Sequence, residues 1–274
     1  MKRHLVLVVL SLAAMLGNLA WAGSAREDST ERLQNSANVL KEIAAAPDKG
    51  IPEEVLKGSQ CIVVVPHLVK AGFIFGAKHG RGVAVCRTND GWSAPAFISV
   101  GGGSWGLQIG AEGVDLVMLV MNHKGLEHLL SSKFEVTGEG SAAAGPVGRH
   151  ASAGTDWKLN TEMLTYSRSR GVFAGLTLEG AVVERDADST VAIYGNDIPF
   201  RKILLGEVAA PAPAAPFLRA VAEINHQARA QEAMEQAPQA QEDQKPPEDQ
   251  KVQEDQKPPE DQKPPEEQKK EDQK

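Results

Sequence analysis

Between Glu27 and Ala46 the apolar residues Leu33, Ala37, Leu40, Ile43 and Ala44 recur at helical spacing. Asp28, Ser29 or Thr30 can cap the start and Pro47 closes the run. This pattern predicts an amphipathic helix whose polar side carries Arg32, Lys41 and Glu42. A second, shorter helix is predicted from Pro52, which suits a first turn, to Gly58. Beyond it the texture changes to short apolar or alternating runs cut by glycine. CIVVV, GFIFG, GVAVC, AFISV and WGLQIGAE read as successive strands, with Asn89-Asp90-Gly91 as a turn. A longer strand is predicted over 114–121, a helix over 124–131, and then a loop of small residues, SAAAGPVGRHASAG. Strand character returns in TYSRSRGVFAGLTLEGAVVER, and 186–194 reads as a helix. The fold class is α+β: a largely antiparallel sheet core with a few flanking helices and a disordered C-terminal tail.

The two ends of the chain differ from this middle. Lys2 and Arg3 precede an apolar run from Leu5 to Leu16, and Ala20-Trp21-Ala22 ends it with small residues at the cleavage positions. Residues 1–22 therefore read as a signal peptide rather than a retained span. That places the protein in the periplasm or outside the cell, where any membrane association is peripheral. Residues 23–206 read as one domain and 207–216 as an Ala/Pro-rich linker. A helix with Phe217, Val221, Ile224 and Ala228 on one side is predicted over 217–237. From 238 onward the chain is a polar Glu-Asp-Gln-Lys-Pro-Pro repeat that lacks the apolar residues needed to offset ordering entropy.

Charge narrows the function classes. Residues 24–206 hold 18 Lys and Arg against 20 Asp and Glu, so no broad basic face of the kind that grips nucleic acid is available. The stretch 241–274 holds 7 Lys against 12 Asp and Glu, and so contributes five of the seven net negative charges. The two cysteines, Cys61 and Cys86, each border a predicted strand. They can form a disulfide if those strands are neighbours; otherwise they are two buried thiols. Their spacing does not suit a metal site, and no cofactor is expected.

The segment Gly101-Gly102-Gly103-Ser104-Trp105-Gly106 fits both a dinucleotide-binding pattern and a nucleophile-elbow pattern. Both chemistries need a helix immediately after the glycines, but the next run, LQIGAEGVDLVMLV, has strand character. Catalysis is therefore not expected, and the glycines read as a connection where close backbone approach excludes side chains. More telling is Tyr166-Ser167-Arg168-Ser169-Arg170-Gly171, where two arginines at i and i+2 share one strand face and can clamp a phosphate. The competing reading pairs them with nearby carboxylates such as Glu162 or Glu179.

Taken in order, Lys70-Ala71-Gly72-Phe73, Gly91-Trp92-Ser93-Ala94-Pro95, Gly102-Gly103-Ser104, Gly106-Leu107-Gln108-Ile109-Gly110, Ala143-Ala144-Gly145-Pro146-Val147-Gly148-Arg149, Thr155-Asp156 and Tyr166 to Gly171 resemble the SYLF-domain family. Phe173-Ala174-Gly175 and Leu178-Glu179-Gly180 continue the match, which runs from about Glu31 to Gly195. The resemblance implies a non-catalytic domain that binds phosphatidylinositol-type or other anionic phospholipids at a membrane surface, with actin binding in some fungal members. It implies lipid contact through the basic residues of the N-terminal helix, here Arg32 and Lys41. Lys70, Arg149, Arg168 and Arg170 complete the expected lipid-binding set. The alternative is an envelope structural or protein-interaction protein whose tail serves as a spacer.

Overall fold

A computed structural model describes residues 24–43, 45, 50–72, 75–105, 110–147, 161–169, 172–176 and 178–242. The expected signal peptide, the tail from 243, Arg149, Thr155-Asp156 and Arg170 lie outside the described residues. The fold is α+β, built on a curled, mostly antiparallel ten-stranded sheet. Helix α1 spans 24–43, and α2 covers Glu53–Gly58. The strands β1 (Cys61–Gly72), β2 (Phe75–Thr88), β3 (Gly91–Trp92), β4 (Ala96–Trp105) and β5 (Gly110–Val120) come next. Then come α3 (His123–Leu130), β6 (Lys133–Glu135), α4 (Gly138–Ser141) and β7 (Ala142–Ala144). Next are β8 (Met163–Ser169), β9 (Val172–Gly175), β10 (Ala181–Arg185), α5 (Ala187–Tyr194) and α6 (Phe200–Leu204). A 3-10 turn at Ala212–Ala214 leads into α7 (Ala215–Glu242). The sheet order is β6-β10-β4-β2-β1-β5-β8-β7, with β3 beside β2 and β9 beside β8. Among the described residues only the β7–β8 pair is parallel.

Period-two alternation gives the sheet two apolar faces. Ile62, Val64, Val83, Val85, Phe97, Val117 and Leu119 face one way, against Leu33, Ala37 and Leu40 of α1 and Phe217, Val221 and Ile224 of α7. Cys61, Val63, Ala84, Ile98, Leu116 and Met118 face the other way, with Leu129 of α3 and Phe200, Ile203 and Leu204 of α6. The folded unit therefore runs through Glu235 instead of stopping at Gly206, because α7 supplies part of the core. Its helix begins at Ala215, inside the expected linker, and runs past the expected end at 237. The short strands β6 and β7 and helix α6 carry too few residues to show a period.

Cys61 and Cys86 are directly opposite in the β1–β2 register and form a disulfide. Two runs that read as strands are placed differently. Gly72 pairs with Gly76, so GFIFG spans the connection of one long hairpin; WGLQIG likewise joins β4 to β5. The β1–β2, β4–β5 and β8–β9 connections all leave from the same end of the sheet, opposite the disulfide.

Candidate functional site

Helix α1 has its apolar side committed to the core: Leu33, Ala37, Val39, Leu40 and Ile43 are all buried. Its exposed positions include Glu27, Asp28, Glu31 and Glu42 against Arg26 and Lys41. Arg26 donates to the carbonyl of Ala192. Arg32, expected at a lipid surface, is turned inward with 7% exposure. Its Nη1 donates to Asp186 Oδ2 at 3.0 Å and to Ser189 Oγ at 3.1 Å, and its guanidinium lies 5.6 Å from the centre of the Phe97 ring. Burial alone would raise the Asp186 pKa; hydrogen bonds from the Ser189 amide and hydroxyl, with the Arg32 charge, hold it below its ordinary value. Arg32 is a structural lock between α1 and α5, while Lys41 stays exposed on a helix surface where acids outnumber bases.

Arg168 is also occupied. It lies opposite Asp115 in the β5–β8 register and donates to Asp115 Oδ2 from Nε at 3.0 Å and Nη2 at 2.6 Å. Its Nη1 contacts Glu42 of α1. The other Asp115 oxygen accepts the backbone N–H of His67 at 3.0 Å. His67 sits in a bulge of β1, where Pro66 and His67 together face Asp115, and has φ of 55°, a left-handed conformation uncommon outside glycine. Tyr166, the first residue of the same motif, is fully buried, and a Cβ on Gly145 would fall 2.1 Å from its ring Cζ. Glycine is thus the only residue type that fits against this ring at position 145.

The bulge has a large consequence for Lys70. Before it, odd-numbered residues of β1 face α3 and α6; after it, even-numbered ones do, as Leu68 shows. Lys70 therefore points away from α1, on the opposite sheet face from Arg168. The sequence pattern groups these two cations, and the fold separates them. Lys70 instead stands directly opposite Lys78 of β2 and, on its other side, Glu112 of β5. Lys78 is 8% exposed, and its Nζ donates to the Glu179 carbonyl at 3.0 Å. Glu112 accepts from Ser169 Oγ at 2.9 Å. Burial lowers the pKa of both lysines; Glu112 partly offsets this at Lys70, and the Lys70 charge lowers Lys78 further. Sequence reasoning does not single out Lys78, because GFIFG has the texture of a strand. Treated as a hairpin connection, the same residues place 70 opposite 78.

The row of three glycines belongs to β4, and the next described element is β5, so neither motif chemistry finds its helix. A Cβ on Gly102 would lie 2.4 Å from the Gly180 carbonyl, which accounts for that glycine by the close approach of β10. Among the described residues, no group of three or more His, Cys, Asp or Glu is placed to hold a metal ion. None of the described helices is long and apolar enough to cross a membrane.

Residues 101–224 match the family model described as Ysc84, Las17-binding protein actin regulator. An SH3 domain-containing protein of Schizosaccharomyces pombe is 38% identical over 174 residues, covering 62% of this chain and 40% of that protein. An SH3 domain-containing YSC84-like protein 1 of Xenopus laevis is 34% identical over 190 residues, covering 66% and 56%. Protein YSC84 of Saccharomyces cerevisiae is 33% identical over 176 residues, covering 63% and 37%. This chain therefore spans little more than half of such relatives at most. None of these names denotes an enzyme.

Proposed function

We propose that the chain carries a domain of the Ysc84/SYLF family, which its similarity to the family model and to the YSC84-like proteins supports, and that it binds anionic phospholipid headgroups at a membrane surface through the hairpin end of its sheet. The Lys70–Lys78 pair carries this reading. Like charges directly opposite on neighbouring strands are destabilising; here Lys78 is buried and Lys70 partly so, burial lowers both pKa values, and Glu112 beside Lys70 offsets only part of this. A phosphate between the two ammonium groups relieves that repulsion and replaces lost hydration with charge-assisted hydrogen bonds. Each lysine near an anionic surface is worth about 1 kcal/mol, so two give weak binding that needs further bilayer contact. In the exported setting read from the N-terminal sequence, phosphatidylglycerol, cardiolipin or lipid A are the anionic lipids on offer.

The test is co-sedimentation of the mature protein with phosphatidylcholine vesicles, with and without phosphatidylglycerol, at low and physiological salt. Selective binding that weakens with salt and is lost in Lys70→Gln/Lys78→Gln is the expected result. Binding that survives the double substitution would move the site, and no binding to any vesicle would sink the lipid reading.

The names of the relatives favour a second reading, a protein-interaction module, since SH3 domains and the family description both point to protein partners. Under it the repeat tail spaces or recruits. A pull-down comparing the full chain with one ending at Glu242 tests this without cutting into the core.

A further inference from the structure

Among the described residues, no helix covers the face of the hairpin end opposite the lysines. Two cross-strand rows lie beyond the reach of α1. One consists of Gly101, His79, Val69 and Gly113, and the other, nearer the connections, of Gly103, Ala77, Ala71 and Ala111. Val69 is 48% exposed, and Ala71, Ala77, His79, Gly103 and Gly113 are exposed around it. The eight positions include no Asp, Glu, Lys or Arg. Charge returns one row further toward α1, at Arg81, His67 and Asp115.

Size decides what this platform can meet. Four strands about 4.8 Å apart give a width of roughly 15 Å, and two rows two residues apart add about 7 Å of height. That is on the order of 100 Å², well short of the ~800 Å² per partner that a stable protein interface buries. A shallow surface of this height, made of Gly, Ala and Val with His79 as its polar side chain, does match the roughly 5–10 Å to which peripheral elements sink into the headgroup and acyl boundary. The charges on the reverse face, at a level between the two bare rows, are Lys70 and Lys78 against Glu112, a net positive row where lipid phosphates would meet the lysines.

We infer that the hairpin end is the part of the domain that enters the bilayer interface, with the Val69 platform against lipid and the Arg81–Asp115 row at the water boundary. This rests on the lipid-binding reading and adds an orientation to it: strands upright on the membrane, with α1 and the disulfide-bridged end held away.

The test places an environment-sensitive fluorophore on Ala77→Cys and, as a reference, on Val191→Cys of α5; the native cysteines are joined and do not compete for label. Phosphatidylcholine/phosphatidylglycerol vesicles should blue-shift the probe at 77 and expose it to a lipid-borne quencher, leaving the probe at 191 unchanged. Val69→Asp should weaken vesicle partitioning about tenfold, since the part of a valine that enters lipid is worth one to two CH2 groups. Lysine-dependent vesicle binding with an unchanged probe at 77 would overturn the orientation and leave the lipid function standing. Absence of any vesicle binding would overturn both.

Discussion

The two ends of the sheet are built on opposite terms. The disulfide end is cross-linked at Cys61–Cys86 and rests on two apolar layers, with α1 and α7 on one face and α3 and α6 on the other. Near its edge the charged residues Arg32 and Asp186 are paired inside a hydrogen-bonded set. The hairpin end, among the described residues, has no helix over its Gly/Ala face and keeps two lysines side by side. At the first end Arg32, Asp186 and Ser189 satisfy one another, whereas at the second Lys70 and Lys78 stand opposite each other, with Lys78 bonded to the Glu179 carbonyl and Lys70 flanked by Glu112. The disulfide and the two apolar layers lie at one end of the same strands, and the lysine pair lies at the other.

The contrast is tested most severely by removing cover from the buried face. Truncation after Gly206 deletes Phe217, Val221 and Ile224, about 6 kcal/mol of burial at ~2 kcal/mol each. That matches the whole stability of many domains, about 5–15 kcal/mol, so the cooperative urea transition should disappear. A retained transition would make α7 an appendage. Replacing both cysteines by alanine opens a loop with a sequence separation of 25 and should lower stability by about 3.5 kcal/mol in urea unfolding.

Arg32→Ala removes the hydrogen-bonded cation of buried Asp186, leaving only Arg81 at 3.9 Å, and should cost about 3 kcal/mol. The pH dependence has a defined sign. The folded Asp186 pKa lies below the ordinary 3.8, so its contribution is full above that value and is lost as pH falls through the lowered one. Acid unfolding of Arg32→Ala, followed by circular dichroism, should begin at higher pH than in the parent. The smallest effect is close to zero: Lys70→Gln removes a like-charge contact with Lys78 and an opposite-charge one with Glu112, so stability should change by no more than about 0.5 kcal/mol while vesicle binding weakens. A larger loss of stability would show that the lysine pair belongs with the structural end.

Much of this architecture is legible in the chain. The period of α1 marks its buried stripe, alternation marks the β1, β2 and β4 segments, and cysteines bordering two strands leave a disulfide open that the register then closes. The candidate site is legible only in part. Counting by twos from Cys61 puts Lys70 on the α1 face with Arg168; the bulge at Pro66–His67 reverses the parity and sends it to the other side. Nothing in a period-two count signals a bulge, which here depends on Asp115, far along the chain, accepting the His67 N–H. Arg32 misleads for a related reason: its position on a polar helix edge does not reveal that Asp186, 154 residues away, folds over it.

Helices α1 and α7 meet the same sheet face from opposite ends of the chain. During vectorial synthesis, strands and α1 emerge long before the segment around Phe217, so Phe97, Val83 and their neighbours remain partly uncovered until the ribosome has passed residue 228. The nascent domain therefore has an extended window of exposed apolar sheet, and a holdase that shields such surfaces should be needed until the last helix docks.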